Sequence, residues 1–458
     1  MAGAMSGAIV SGDRALELAG VSIDTRTLAA GDLFVAVRGD RFDGADFAAA
    51  ALEAGAGGVV VPRGYGSRLR AGRAPVVIEV DDTIVALQAL AHQVRRESGT
   101  KVVAITGSAG KTTTKEVTAE FLATRYRVIR NHGNLNNHIG LPLSLIDLRQ
   151  RPEIAVVELG MNHRGEISTL VGIAEPEVRV WTNVGEAHLE FFGSIDRIAD
   201  AKAEILERAT PATVLVANAD DERIAARSHA FAGRVVTFGV EHPSVVRASQ
   251  VDDRGIDGIR ALISTPRGRF DMETPLVGRM NLENVLAATA VAIECDIPLE
   301  SLAERAKQLR PAAHRSEVVR LPRGITIIDD SYNANPTATE CALDVLGRES
   351  TAFRRVAVLG EMLELGERAA ALHENVGRAV VRAKVDLLLV VGGRPAAALA
   401  QAARAAGMPS GSVRWFATSD EAAEWAREAV RRGDVVLVKG SRGVRTDRVV
   451  DRLKGELA

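Results

Sequence analysis

The chain has 458 residues, 47% of them apolar, 25% charged and only 4% aromatic, the balance of a globular protein with cores of Val, Leu, Ile and Ala. A net charge of −2 with no long block of like charge speaks against nucleic acid held on a basic surface, and no apolar run reaches the ~18 residues of a membrane span. The two cysteines, Cys295 and Cys341, form no CxxC pair and no basic leader opens the chain, so a reducing, cytoplasmic setting is expected.

At roughly 150 residues per domain the length suggests about three domains. Residues 1–98 carry short apolar runs punctuated by glycine. Leu33–Val37 reads as a strand, Phe47–Glu53 as a helix stopped by Gly55, and Val59–Val61 as the next strand. A helix over Thr83–Glu97 then leads into Ser98-Gly99, a domain joint. Residues 99–309 open with the strand Lys101–Thr106, a glycine turn and a helix from Lys111 to Thr124. Strands follow at Ile154–Leu159, Val178–Asn183, Thr213–Asn218 and Val235–Phe238, with helical stretches between several of them. Strands alternating with helices predict an α/β fold with a parallel sheet covered on both faces. Residues 245–277, broken at Asp253-Arg254-Gly255 and Pro266-Arg267-Gly268, predict a small antiparallel insert. Residues 310–458 repeat the alternation at Ile325–Asp329, Val356–Leu359, Leu387–Val391, Val413–Phe416 and Val435–Val438, a second doubly wound domain of Rossmann type.

The sharpest local signal runs Thr106-Gly107-Ser108-Ala109-Gly110-Lys111-Thr112-Thr113-Thr114-Lys115, after a strand and into a helix. Glycines let backbone N–H groups turn inward, and the helix N-terminus adds positive partial charge, so the loop suits phosphate. Lys111 can reach the β- and γ-phosphates and the Thr112 hydroxyl can hold Mg²⁺. The usual G-x-x-x-x-G-K-[ST] spacing would need glycine at position 105, which is Ile105. The loop alone does not say what is done with the nucleotide.

In a parallel sheet the strand ends share the edge where ligands bind. Glu158, closing the strand Ile154–Leu159, and His188, just beyond Val178–Asn183, are therefore candidates for holding Mg²⁺ near the phosphates, although a lone Glu or His is more often a surface or capping residue. Lys202, in Asp200-Ala201-Lys202-Ala203-Glu204, reads from its neighbours alone as an exposed lysine on a helix.

Taken in order, these motifs resemble the Mur ligase family. The loop 106–115 is similar to the family's ATP loop, and Gly133-Asn134-Leu135-Asn136-Asn137-His138-Ile139-Gly140 to its next signature. Glu158-Leu159-Gly160-Met161-Asn162-His163 and Asp329-Asp330-Ser331-Tyr332-Asn333-Ala334-Asn335-Pro336 resemble the branch that adds D-alanyl-D-alanine. Asn183-Val184-Gly185-Glu186-Ala187-His188, Asn281-Leu282-Glu283-Asn284 and Gly360-Glu361-Met362-Leu363-Glu364-Leu365-Gly366 complete a set reaching from residue 22 to 442. The Asp-Asn-Pro-Arg element typical of the tripeptide-forming relative is absent.

The resemblance implies three domains: a small N-terminal α/β UDP-binding domain over 1–98, a central P-loop ATPase-like domain over 99–309 and a C-terminal Rossmann-like ligase domain over 310–458. It places Thr112 and Glu158 as ligands of one Mg²⁺, His188 as ligand of a second, and Lys202 at the lysine the family carries as a carbamate. Gly107, Ser108, Ala109, Gly110, Lys111, Thr112 and Thr113 would bind ATP, with Arg315 aimed at the γ-phosphate. Asp330 would lie near the ribose, Tyr332, Asn333 and Asn335 near the nucleotide, and Asn281 and Asn284 around the adenine. Ser22, Asp24, Thr25, Arg26, Asp43 and Gly44 match the UDP-binding pattern, and Asn134, Asn136 and Asn137 belong to the substrate side. Lys439, Ser441 and Arg442 would face the incoming amino substrate. The sequence departs from the pattern at Ala313-His314 before Arg315, at Ala45-Asp46 and at Gly443–Asp447.

The implied reaction is ATP-dependent joining of D-alanyl-D-alanine to UDP-N-acetylmuramoyl-tripeptide by a monomer, with Lys111, Asn183, His188, Lys202 and Arg315 as catalytic candidates. ATP makes the carboxylate electrophilic as an acyl phosphate, which the dipeptide amine attacks. The sister ligase that adds the third amino acid, a folate-type polyglutamate ligase and a non-catalytic nucleotide switch remain as alternatives.

Overall fold

Runs of Val, Ile and Leu become strands buried on both faces, the usual fate of parallel strands covered by helices. In the computed structural model, which describes residues 1–39, 41–69, 75–131, 133–350 and 352–457, these strands belong to two units. One comprises Met1–Ala104 and Arg127–Glu177, the other Ile105–Tyr126 and Val178–Ala458.

In the first unit, β1 (Ala8–Ser11), β2 (Val21–Ser22), β3 (Leu33–Val35), β4 (Gly58–Pro62) and β5 (Val76–Val80) form one sheet in the order β1-β5-β4-β3-β2. All neighbours are parallel except β1, which runs antiparallel to β5. Phe34, Val59, Val61 and Val77 pack with Ala45, Ala48 and Ala51 of the short helical stretch beside them. The helix Thr83–Ser98 starts where Asp82 accepts from the N–H groups of Ile84 and Val85, and ends at Gly99 with φ 69°. An N-cap carboxylate and a left-handed glycine account for both boundaries. Beyond β6 (Lys101–Thr106), whose first residues belong here, β7 (Val128–Arg130) pairs in parallel with β8 (Ile154–Glu158).

In the second unit, β9 (Val178–Trp181), β10 (Val214–Asn218), β11 (Arg234–Gly239), β12 (Val246–Asp253), β13 (Ile259–Thr265) and β14 (Gly268–Thr274) stand side by side in chain order. The antiparallel segment expected over 245–277 is the meander β12-β13-β14. It is not a separate insert, because β12 pairs in parallel with β11 through Phe238 and Val246 and so extends the sheet. The C-terminal sheet is built from β15 (Glu317–Leu321), β16 (Ile325–Asp330), β17 (Arg354–Gly360), β18 (Leu387–Val391), β19 (Val413–Phe416) and β20 (Asp434–Lys439), in the order β15-β16-β20-β17-β18-β19. Only β15 is antiparallel to its neighbour. Ile327, Val358, Leu389 and Val436 form its core with Ala422, Ala426 and Leu453 from the helices Ser419–Ala429 and Asp447–Leu457. β1, β2, β5, β7 and β15 are strands that the apolar pattern did not reveal. Among the described residues no helix is long and apolar enough to cross a membrane.

Candidate functional site

The turn Gly107–Gly110 joins β6 to the helix Lys111–Leu122, as the spacing predicts. A Cβ at Gly107 would collide with Thr182 Oγ1, and one at Gly110, where φ is 79°, with the side chain of Asn284. Only glycine fits either position, so the loop backbone is pressed against two polar side chains. Asn183 clamps the loop in both directions: its Oδ1 accepts from Ala109 N at 2.8 Å and its Nδ2 donates to Ala109 O at 3.1 Å. Ser108 Oγ donates to Gly185 O at 3.1 Å and accepts from Gly185 N at 2.8 Å. Thr182 Oγ1 donates to Ala109 O at 2.9 Å. The loop is thus held rigid before any ligand arrives, with the positive end of the helix Lys111–Leu122 behind it.

Two amines converge on one carbonyl here. Lys111 Nζ donates to Gly107 O at 2.9 Å and Lys202 Nζ to the same oxygen at 3.1 Å. Lys202 is only 2% exposed, which overturns its reading as a surface lysine. It is the last residue of the helix Ile195–Lys202, whose buried side carries Ile198, Ala199 and Ala201. Burial, and then the charge of Lys111, push the Lys202 amine well below its ordinary value. His188 adopts a left-handed backbone with φ 60°, and its Nδ1 lies 2.6 Å from Glu364 Oε2.

From the C-terminal sheet, the Arg315 guanidinium lies 4.0 Å from the centre of the Tyr332 ring, and that of Arg442 lies 5.6 Å from the same ring. The neighbouring His314 Nδ1 is 2.8 Å from the buried Asp329 carboxylate. Lys439 is 3% exposed and donates to Asp330 Oδ2 at 2.5 Å and to Asn333 O at 3.0 Å, so its charge is taken up inside the domain. Asn335 caps the helix Pro336–Arg348 through Ala338 N at 2.9 Å. Ser441 Oγ accepts from Leu363 N at 2.9 Å. Asn281 and Asn284 are both buried on the helix Arg279–Glu294. Asn281 bonds Val277 O at 2.8 Å and receives Asn284 Nδ2 at 3.2 Å, while Asn284 Oδ1 accepts from Thr114 Oγ1 at 3.1 Å. These two amides therefore brace the helix that carries Lys111, Thr112 and Thr113.

In the other unit, Glu158 is 4% exposed at the end of β8 and accepts from Asn136 Nδ2 at 2.8 Å. Asn137 Oδ1 accepts from Gly140 N at 2.8 Å at the start of the helix Gly140–Ile146, and Asn134 O accepts from Asn136 N at 2.8 Å. Asp24 pairs with Arg26, which pulls its carboxyl down to about 2, and Ser22 Oγ bonds the same turn. Ser22, Asp24 and Thr27 line a cleft with Asp32, Ser144 and Arg149, and Thr25 is half-buried beside it. Asp43 accepts from Ala45 N at 3.0 Å, and Gly44 follows it into a turn of 3₁₀ helix.

The residues suit a nucleotide and hard cations. A hydroxyl at Thr112, a carboxylate at Glu158 and an imidazole at His188 are ordinary donors for Mg²⁺. A bare amine is not, and Lys202 fits the set only once CO₂ has turned its neutral amine into an anionic oxygen donor. Motif reading left out Thr182, Asp221, which accepts from Val184 N at 2.7 Å, Arg149 of the cleft, and the role of Glu364. Of these, only Glu364 lies in a recognised motif; the others act through contacts that no local pattern announces.

A rigid phosphate turn with two lysine amines on one carbonyl, beside a doubly wound C-terminal sheet, marks a nucleotide-dependent ligase, and the chain belongs to the Mur ligase family. Residues 17–98 match the family's catalytic-domain model, 105–292 its middle domain and 314–442 its glutamate ligase domain. The UDP-N-acetylmuramoyl-tripeptide–D-alanyl-D-alanine ligase of Bacillus subtilis is 34% identical over 95% of this chain and 93% of its own. That of Escherichia coli is 35% identical over 96% of this chain and 94% of its own. The crystal structure of MurF ligase from Thermotoga maritima in complex with ADP is 30% identical, covers 97% of this chain and 99% of its own, and superposes with a TM-score of 0.83.

Proposed function

We infer that this protein is the ATP-dependent ligase that joins D-alanyl-D-alanine to UDP-N-acetylmuramoyl-tripeptide and yields the UDP-linked pentapeptide precursor of peptidoglycan. The observation that carries this is the braced turn Gly107–Gly110 with Lys111 and Lys202 on one carbonyl, in a chain whose relatives bear that activity along nearly their whole length.

The γ-phosphoryl group of ATP passes to the tripeptide carboxylate, the dipeptide amine attacks the acyl phosphate, and phosphate leaves. Lys111 offsets charge on the transferring group, and Arg315, a planar guanidinium stacked on Tyr332, is presented to the same charge. Asn183 contributes by holding Ala109, and so the turn, in place. Two Mg²⁺ ions, held by Thr112 and Glu158 and by His188 with a carbamate on Lys202, would supply neutralisation of phosphate charge when bound. The carbamate is supported by the burial of the Lys202 amine, whose proton affinity is pushed well below its ordinary value: the unprotonated amine adds CO₂ and releases one proton. The cleft lined by Ser22, Asp24 and Arg149 supports UDP binding, and Arg442 supports recognition of the dipeptide carboxylate. We further assign three domains over 1–98, 99–309 and 310–458, a monomeric state, and work in the cytoplasm, where ATP and the UDP-linked precursor are made.

The test offers purified protein with Mg²⁺-ATP each acid–amine pair in turn and measures phosphate release. Turnover is expected with UDP-muramoyl-tripeptide plus D-alanyl-D-alanine, and Lys111→Ala should abolish it. Turnover only with the dipeptide precursor and a third amino acid, or with a folate and glutamate, would transfer the chain to a sister branch. No turnover with any pair would reduce it to a nucleotide switch.

A further inference from the structure

His188 and Glu364 are two non-glycine residues held at positive φ, 60° and 63°, and joined side chain to side chain. Such backbone persists only where the surroundings over-determine it. Here they do. Glu364 O accepts from Glu190 N at 2.9 Å, and His188 O accepts from Phe191 N at 3.1 Å. On the approach to Glu364, Met362 N donates to Nε2 of the buried His373 at 2.9 Å, and Leu363 N donates to Ser441 Oγ at 2.9 Å. Both sides of the contact are therefore held by hydrogen bonds of their backbone, one of which, Glu190 N to Glu364 O, itself joins the two segments. An incidental surface ion pair has no such scaffold and contributes little.

An ionised carboxylate only accepts hydrogen bonds, so the 2.6 Å contact requires the proton of a neutral imidazole to sit on Nδ1. That leaves the Nε2 lone pair free to face a cation. A carboxylate behind a histidine commonly sets the tautomer and ring orientation of a metal ligand in this way. We propose that Glu364 is a positioning residue for His188, so that the C-terminal domain sets the tautomer and direction of a ligand carried by the middle domain. The proposal rests on the reading of His188 as a cation-binding group and adds where its orientation comes from. A loop of the C-terminal sheet would then do more than close over substrate: its docking would complete the ligand set.

The test labels the protein with ¹⁵N-histidine and reads the His188 ring nitrogens at pH 8 without metal, using His188→Ala for assignment. Wild type should show a protonated Nδ1 and an unprotonated Nε2. Glu364→Ala should move His188 towards the Nε2–H tautomer and raise the Mg²⁺ concentration for half-maximal turnover on the order of tenfold. Glu364→Gln, which keeps an acceptor oxygen, should retain the wild-type tautomer with a smaller change in Mg²⁺ dependence, and it guards against misfolding of the alanine variant. An unchanged tautomer in Glu364→Ala, or an unchanged Mg²⁺ dependence alongside a changed tautomer, overturns the proposal. Failure of the underlying site reading has its own sign, which is full Mg²⁺-dependent turnover by His188→Ala.

Discussion

Lys202 concentrates the chemistry of the site in one side chain. Its neighbours Asp200 and Glu204 suggest a solvated helix, yet the residue is 2% exposed and shares a carbonyl with Lys111. Protonating it would place a buried ammonium group beside that of Lys111, so burial and Lys111 push the amine well below its ordinary value. The consequence for stability follows from proton counting. Unfolding restores the ordinary value of 10.5, so between the lowered value and 10.5 the unfolded chain holds the extra proton and stability rises with pH. Replacing Lys202 by Ala should cut turnover about a hundredfold or more, because the anionic oxygen ligand that its carbamate would offer Mg²⁺ is lost. Acetate or formate should restore part of that activity by filling the gap with a carboxylate. Steady-state rates with and without the added acid check this, and an active Lys202→Ala variant indifferent to acetate would remove Lys202 from the mechanism. The position was legible only through the family motif, since burial is not written in six neighbouring residues.

Among the elements, the turn Gly107–Gly110 and its helix show how rigidity is made from small parts. Gly110 needs both a left-handed backbone and the space that Asn284 leaves, and Asn284 in turn holds Thr114. Gly110→Ala should therefore cost more than about 1 kcal/mol, the typical scale for alanine at positive φ, with the collision added. Gly324→Ala, at φ 70° with open space around it, isolates the backbone contribution. Chemical denaturation and binding of a fluorescent ATP analogue should show Gly110→Ala weaker in both, and Gly324→Ala affected only in stability. Equal nucleotide binding by Gly110→Ala and wild type would mean that the turn is not a rigid cradle. The strand–turn–helix order was plain in the sequence. The bracing by Thr182, Asn183 and Asn284 was not, because it joins segments separated by 73 to 170 residues.

The whole molecule presents its candidate residues in two sets. Thr112, His188, Lys202 and Arg315 belong to the unit that includes Val178–Ala458, while Ser22, Asp24, Asn136 and Glu158 belong to the unit that begins at Met1. Ligands should accordingly protect different stretches from hydrogen exchange. ATP analogue with Mg²⁺ is expected to slow amides in 107–114, and UDP-muramoyl-tripeptide those in 20–27, each in the absence of the other. Protection of 20–27 by nucleotide alone would contradict that assignment of substrates. The sequence by itself determined the strand–helix alternation, the phosphate turn and, through ordered motifs, the family, because periodic burial and glycine-dependent turns are local properties of a chain. Tertiary structure alone decided that Lys202 is buried, that Lys439 is spent on Asp330, that Asn281 and Asn284 brace a helix, and that Glu364 meets His188. Each depends on distant segments arriving at one point, and the energy of a contact or a desolvated charge is set by that meeting rather than by the residues alongside it in the chain.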